Sequence, residues 1–276
     1  MKVMRVVKYV IALKSSSRLK KFQQQEFSNG FSIWDAFNGV EEPVPDFVDL
    51  KSFEQGLGRP PLPGEFGYSV SHYLLCKNFV ETGKIDELML VAEDDARFSN
   101  KAESVISRVV RWTDWSKVGI VVLASPGLAA GERRFRSIPQ KAAVMSILSR
   151  PVGWNGIYPF ILGSFDGMAI GTGCYLISFQ AAQKYVDLVE YGDKIAWVAD
   201  HYNIWAKKAG VEVQLLRPGI CSWEGESTIG GLDHDWTGYS ENIDSQRKSL
   251  IRKIQENLFV RERLWRLKRS LQCVLK

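Results

Sequence analysis

Three consecutive acids, Glu93, Asp94 and Asp95, follow the apolar run Leu88-Met89-Leu90-Val91-Ala92. A strand that ends this way sets carboxylates at the carboxyl edge of a sheet, where open α/β sheets bind ligands. Two carboxylates about 5 Å apart repel by roughly 3 kcal/mol at an effective dielectric of about 20. A sheltered trio therefore needs a cation or hydrogen-bond donors. Hard oxygen ligands suit Mn²⁺ or Mg²⁺, and such ions share one or two protein carboxylates with substrate phosphates, which points to a nucleoside diphosphate. The plainer reading is that the acids cap the next helix or pair with Arg97.

A second constellation lies upstream. Glu65, Ser69 and His72 fall at i, i+4 and i+7 and share one helical face, with Phe66, Val70 and Leu74 on the apolar side. Spacing alone makes this polar stripe a solvent-facing surface. Zinc hydrolase chemistry has no support, because His72, His201 and His234 form no HExxH pattern and the four cysteines form no CxxC pair. His234, between Asp233 and Asp235, reads as a surface residue. Cysteines this scattered fit a reducing cytoplasm better than a secreted disulfide scaffold.

Alternating short apolar runs and longer mixed segments position these residues. Strands are expected at 6–13, 31–34, 87–92, 118–123, 169–178 and 211–216, and helices at 18–27, 64–81, 180–189 and 199–209. Pro63 starts the second helix, and Glu65 in its first turn suits the helix dipole. The alternation predicts an α/β fold around a mostly parallel sheet. Residues 40–63 and 125–167 read as long loops of the kind that form substrate lids, the second with a basic patch at Arg133, Arg134 and Arg136. No apolar run approaches the roughly eighteen residues of a membrane-spanning helix. The N-terminal MKVMRVVKYVIAL reads as the first strand, since its apolar stretch is too short for a signal peptide.

Four blocks then occur in order: LPGEFGYSVSHYLLCKNFV, LMLVAEDDARF, GTGCYLISFQAAQKYVD and VADHYNIW. Together they resemble glycosyltransferase family 25, the lipopolysaccharide and lipooligosaccharide sugar transferases. The resemblance runs from about residue 9 to about residue 229, with an opening strand and Arg-rich helix matched loosely by VIALKSSSRLKKF. Tyr68 stands where the family often has Cys, at a position expected to serve packing. The resemblance implies a GT-A-like nucleotide-sugar-binding fold. It further implies that Glu93, Asp94 and Asp95 match the family's acidic motif, which holds Mn²⁺ or Mg²⁺ against the diphosphate of a UDP-sugar, with Asp95 and then Asp94 as the metal ligands. Glu65 and His72 match a block beside the donor pocket. Gly171 and Gly173 match a GTG segment where backbone approaches a sugar closely.

Family members transfer sugar with inversion, which requires a base for the acceptor hydroxyl. Asp200 matches the family's late acidic position, and a helix N-terminus there is expected to keep it ionised. Asp166 and Glu65 stand in reserve. The implied activity is transfer of a sugar, galactose first among candidates, from a UDP-sugar to a lipooligosaccharide or other surface-glycan acceptor. The alternatives are another nucleotide-sugar-dependent transferase and a catalytically silent relative that binds nucleotide-sugar. Trp154, Tyr158 and Phe160, with Trp223 and Trp236 later, offer flat faces for stacking on acceptor sugars.

Composition locates the charge. Lys and Arg exceed Asp and Glu by 36 to 31, a net +5, and the 45% hydrophobic content excludes a disordered chain. Residues 247–276 hold ten Lys or Arg against two Glu, a net +8, which leaves −3 for everything before them. We expect a catalytic domain over residues 1–240 and a basic amphipathic helical segment over 241–276, where Trp265 sits among arginines. Such a helix suits an anionic membrane surface, here the inner face of the cytoplasmic membrane, and not nucleic acid. Deleting residues 247–276 is expected to weaken binding to anionic vesicles in a sedimentation assay more than it lowers turnover of a soluble UDP-sugar.

Overall fold

Valine, isoleucine and leucine fill the runs that end up at the centre of the molecule, because apolar and β-branched side chains suit a pleated surface covered on both faces. The computed structural model describes residues 4–124, 143–155, 158–167, 169 and 171–223. Its first part runs β1 (Arg5–Ala12), α1 (Arg18–Gln23), β2 (Ser32–Asp35), α2 (Leu50–Leu57), α3 (Pro63–Thr82), β3 (Glu87–Glu93), β4 (Ala96–Phe98), α4 (Ala102–Trp112) and β5 (Val118–Val122). The second runs β6 (Ala143–Met145), β7 (Arg150–Asn155), β8 (Tyr158–Gly163), β9 (Phe165–Gly167), β10 (Cys174–Ser178), α5 (Phe179–Tyr191), α6 (Tyr202–Lys208), β11 (Glu212–Arg217) and β12 (Cys221–Trp223).

The α/β class stands. Eight strands form one sheet in the order β2-β1-β3-β10-β5-β11-β8-β7. As expected, most strands run one way: β2, β1, β3, β5, β11 and β7 are co-directional, whereas β10 runs against both β3 and β5, and β8 against both β11 and β7. The chain enters β10 through Gly171-Thr172-Gly173 at the edge where β3 and β5 end, so β10 has to run back between them. Alternation divides β3 between two cores. Met89 and Val91 pack with Phe66, Val70, Tyr73 and Tyr175 on one face, while Leu88, Leu90 and Ala92 pack with Val10, Phe22, Val105 and Val109 on the other.

Two expected loops contain regular structure. Residues 40–63 include α2, started by Asp49, whose side chain accepts the Ser52 amide at 3.0 Å. Within 125–167, β7 and β8 extend the main sheet and β6 and β9 form a separate pair. Pro151 and Gly153 disguised β7, yet both are tolerated because β7 is an edge strand with a register shift between them. No described helix is long and apolar enough to cross a membrane. The basic segment 241–276, His234, Trp236 and the arginines at 133, 134 and 136 lie outside the described residues.

Helix α3 is buried on nearly every side, against the expectation of a solvent-facing polar stripe: Glu65, Ser69 and His72 are as inaccessible as Phe66 and Val70. Ser69 Oγ donates to the Trp197 carbonyl at 2.8 Å, and the Ser71 hydroxyl accepts the Phe37 amide at 2.9 Å. Gly67 permits this close approach. A Cβ there would stand 2.9 Å from the Gly39 nitrogen and 3.1 Å from the Phe37 oxygen. Helix propensity alone would favour Gly67→Ala by about 1 kcal/mol. The backbone contact is expected to reverse the sign, giving a destabilisation of about 1–3 kcal/mol in urea unfolding.

Candidate active site

The carboxyl edge of β3 is closed from three directions. Glu93, its last residue, accepts hydrogen bonds from Tyr68 Oη of α3 at 3.2 Å and from Thr172 Oγ1 at 2.5 Å, and its amide donates to the Gly173 carbonyl at 3.2 Å. Asp94 is buried and turns toward the N-terminal segment, where Ser16 Oγ donates to it and Arg18 Nη2 lies 2.8 Å from Oδ1. The other nitrogen of Arg18, Nη1, stands 3.6 Å from Asp95. Asp95 Oδ1 is buried with no hydrogen-bond partner among the described residues. The acids therefore find their cation chiefly in Arg18, with a further contribution from Arg97 at Asp95.

The segment before β10 carries the site onward. Gly171 has φ of 93°, a left-handed conformation that favours glycine, and its amide donates to Asp200 Oδ2 at 3.2 Å. Gly173 contributes the carbonyl that receives Glu93. One short turn thus ties Glu93 to Asp200. Asp200 is not the N-cap of α6; His201 is, and the helix begins at Tyr202. Burial pushes the Asp200 carboxyl above its ordinary range, so the expected ionising effect of a helix N-terminus is not the dominant influence. Asp95 is raised for the same reason.

Glu65 and His72 are held differently. Arg59 grips both oxygens of Glu65 at 2.6 and 2.8 Å, and the Leu62 amide donates to it at 2.8 Å, so this carboxylate fixes the start of α3. His72 Nδ1 is 2.8 Å from Tyr175 Oη, and its ring meets the Tyr68 ring edge-on at 4.8 Å. Burial pushes its pKa down to about 3, which keeps the ring neutral. Its Nε2 has no partner among the described residues. His72 thus backs Tyr68, which in turn holds Glu93.

Tyr68 consequently does more than pack, and it was missed because a hydroxyl's partner cannot be read from helical spacing. Ser16, Arg18 and Thr172 were missed too, although the strand followed by a basic helix was the available signal for Arg18. Asp166 lies on β9, opposite Val144. Phe160 is fully buried in the core, whereas Trp154 at the end of β7 is 56% exposed. Tyr158 opens β8, and Trp223 pairs with Ala96, beside Asp95. Among the described residues no three His, Cys, Asp or Glu side chains converge on a common metal position.

Residues 6–123 match the model of glycosyltransferase family 25 (LPS biosynthesis protein), which bears out the resemblance over the segment holding Glu65, His72 and the three acids. The match spans somewhat under half of the chain and supports a glycosyltransferase of lipopolysaccharide biosynthesis. Among curated proteins there is no match. Solved structures give distant likenesses. A197 from STIV is 12% identical with a TM-score of 0.38, covering 79% of this chain and 83% of that one. A glycosyltransferase involved in glycosylation of the major capsid of PBCV-1 is 8% identical with a TM-score of 0.36, covering 82% and 95%. The inositol-1-phosphate CTP transferase from T. maritima is 15% identical with a TM-score of 0.37, covering 87% and 95%.

The Glu93 carboxyl has a consequence for stability. Burial first, and the Asp95 charge second, raise it from 4.5 to about 8. The folded chain therefore keeps a proton there that the unfolded chain releases, so this contribution is full below about 4.5 and is lost as pH rises through about 8. Chemical denaturation across that window should show wild-type stability falling relative to Glu93→Gln as pH increases. Parallel curves would show that Glu93 titrates normally.

Proposed function

We propose that this chain is a metal-dependent, inverting glycosyltransferase that moves a sugar from a UDP-sugar, galactose first among donors, to a lipooligosaccharide or other surface-glycan acceptor. One observation carries the reading. Glu93, Asp95 and Asp200 come together at one sheet edge, with Asp200 held by the Gly171 amide and Glu93 by the Thr172 hydroxyl and the Gly173 carbonyl.

Asp95, with its unpartnered oxygen, would hold Mn²⁺ or Mg²⁺, and Glu93 beside it would join by giving up the proton that burial lets it keep. When bound, such an ion neutralises charge on the leaving nucleoside diphosphate. Asp94, which the resemblance also makes a metal ligand, has its oxygens engaged by Ser16 and Arg18 and anchors Arg18. Glu65 and His72 act through α3, the first by fixing the helix start and the second by supporting Tyr68. Asp200 accepts the acceptor hydroxyl's proton as that oxygen attacks the anomeric carbon, and its upward shift brings it closer to the operating pH of a useful base. Gly171 orients it. Exposed Trp154 offers the acceptor a stacking face, and the basic C-terminal segment would hold the enzyme against an anionic membrane carrying a glycolipid acceptor.

Asp200→Asn keeps the size of the side chain but removes the base. It should lower transfer by about 10²–10⁴-fold while leaving UDP affinity, read by calorimetry, nearly unchanged. Retention of more than about a tenth of wild-type turnover removes Asp200 from the base role. A wild-type protein that binds UDP yet transfers no sugar across a panel of UDP-sugars and lipooligosaccharide acceptors would instead be the silent relative.

A further inference from the structure

At the far side of the same sheet edge lies an arginine that the proposed chemistry does not use. Arg217 ends β11, where it pairs with Ile161 of β8. Its Nη1 donates to the Ala124 carbonyl at 3.0 Å and to the Leu216 carbonyl at 2.9 Å. The remaining guanidinium donors make no hydrogen bond to the described residues, out of five that the group carries. Other arginines of the fold face acids: Arg5 with Glu87 at 3.2 Å, Arg18 with Asp94 at 2.8 Å and Arg59 with Glu65 at 2.6 Å. Arg217 has no such carboxylate among the described residues.

Its surroundings make that unusual. Burial alone pushes the guanidinium down to about 10, with no acid offsetting it. Two carbonyls satisfy part of its hydrogen bonding but leave its full charge uncompensated, a costly state in a sheltered position. The position also faces the ligand edge. Ala124, which receives Arg217, donates its own amide to the Cys174 carbonyl at 3.1 Å, and the adjoining Gly173 carbonyl receives Glu93. Ala124 continues β5, two strands from β3, and β11 is the third, so Arg217 stands roughly 10–15 Å across the sheet from the acids at the usual strand spacing. Beyond Arg217, the chain turns into β12 and returns alongside β4, directly after Asp95.

We infer that Arg217 is an oxyanion-binding residue, taking a phosphate or carboxylate group of a substrate at the edge opposite the acids. A half-buried guanidinium with donors to spare and no carboxylate partner among the described residues binds such a group through paired charge-assisted hydrogen bonds. The anion belongs either to the donor's diphosphate or to an acidic acceptor glycan. This rests on the transferase reading only for the source of the anion and not for its binding.

The test uses the full chain and inorganic phosphate, with thermal unfolding followed at matched ionic strength against chloride. Phosphate should raise the wild-type midpoint. Arg217→Met should lose that rise, and Arg217→Lys should need at least about tenfold more phosphate for half the effect, because an ammonium cannot form the bidentate contact. Without phosphate, Arg217→Met should unfold no earlier than wild type, since the uncompensated charge is gone. Absence of any phosphate effect on wild type overturns the inference, as does an unchanged effect in Arg217→Met or Arg217→Lys. If Arg217→Met does not fold, the Lys variant alone decides. Donor hydrolysis without acceptor, compared with transfer, then locates the anion. A raised KM for UDP-sugar in hydrolysis assigns it to the donor, and a raised KM for acceptor alone assigns it to the glycan. An Arg217-dependent phosphate effect in a protein without transferase activity would sustain this site while removing the proposed function.

Discussion

Everything at the functional edge answers to one constraint, the burial of a carboxyl at the end of a central strand. β3 is buried on both faces up to Ala92, and the carboxyl that ends it is half-buried, its access to water narrowed by the elements around it. A buried acid must be protonated, hydrogen-bonded or paired. Each neighbouring element supplies part of that answer. α3 contributes the Tyr68 hydroxyl, the turn before β10 contributes Thr172, and the segment after β1 contributes Ser16 and Arg18 to the two acids that follow. The route of the chain around this edge is therefore also the wiring of the site.

The same constraint explains why α3 is polar along a buried face. Its glutamate, serine and histidine do not meet solvent; they meet Arg59, the Trp197 carbonyl and Tyr175. Such a network is rigid when satisfied and costly when broken, because each group removed leaves a buried partner unmade. Holding the helix that closely requires Gly67 against Gly39. A packing detail of the helix thus governs how accurately Tyr68 reaches Glu93.

Much of this was legible in the sequence, and the exceptions have physical reasons. The apolar runs and the acids at the end of one of them located β3 and the site edge, because burial and charge leave clear patterns. The sequence places helix α3 to within a residue at either end, but its polar face reads as surface because 3.6-residue spacing reveals which residues share a face and not what covers it. β7 was hidden by Pro151 and Gly153, which an edge strand accepts and a central one does not. The orientation of β10 could not be read, since strand direction depends on where the chain re-enters the sheet. Arg18 and Arg217 escaped as functional residues for a related reason. A pairing partner, or the lack of one, exists only once distant segments have met.

We propose that Asp95, with Glu93, holds a divalent cation that a nucleoside diphosphate shares. Titrating Mn²⁺ into the full chain, followed by its electron paramagnetic resonance signal with and without UDP, addresses this directly. UDP should tighten Mn²⁺ binding, Mn²⁺ should tighten UDP binding by the same factor, and Asp95→Asn should abolish both effects. UDP binding of equal affinity in the presence of a chelator, or Mn²⁺ binding indifferent to Asp95→Asn, would contradict it.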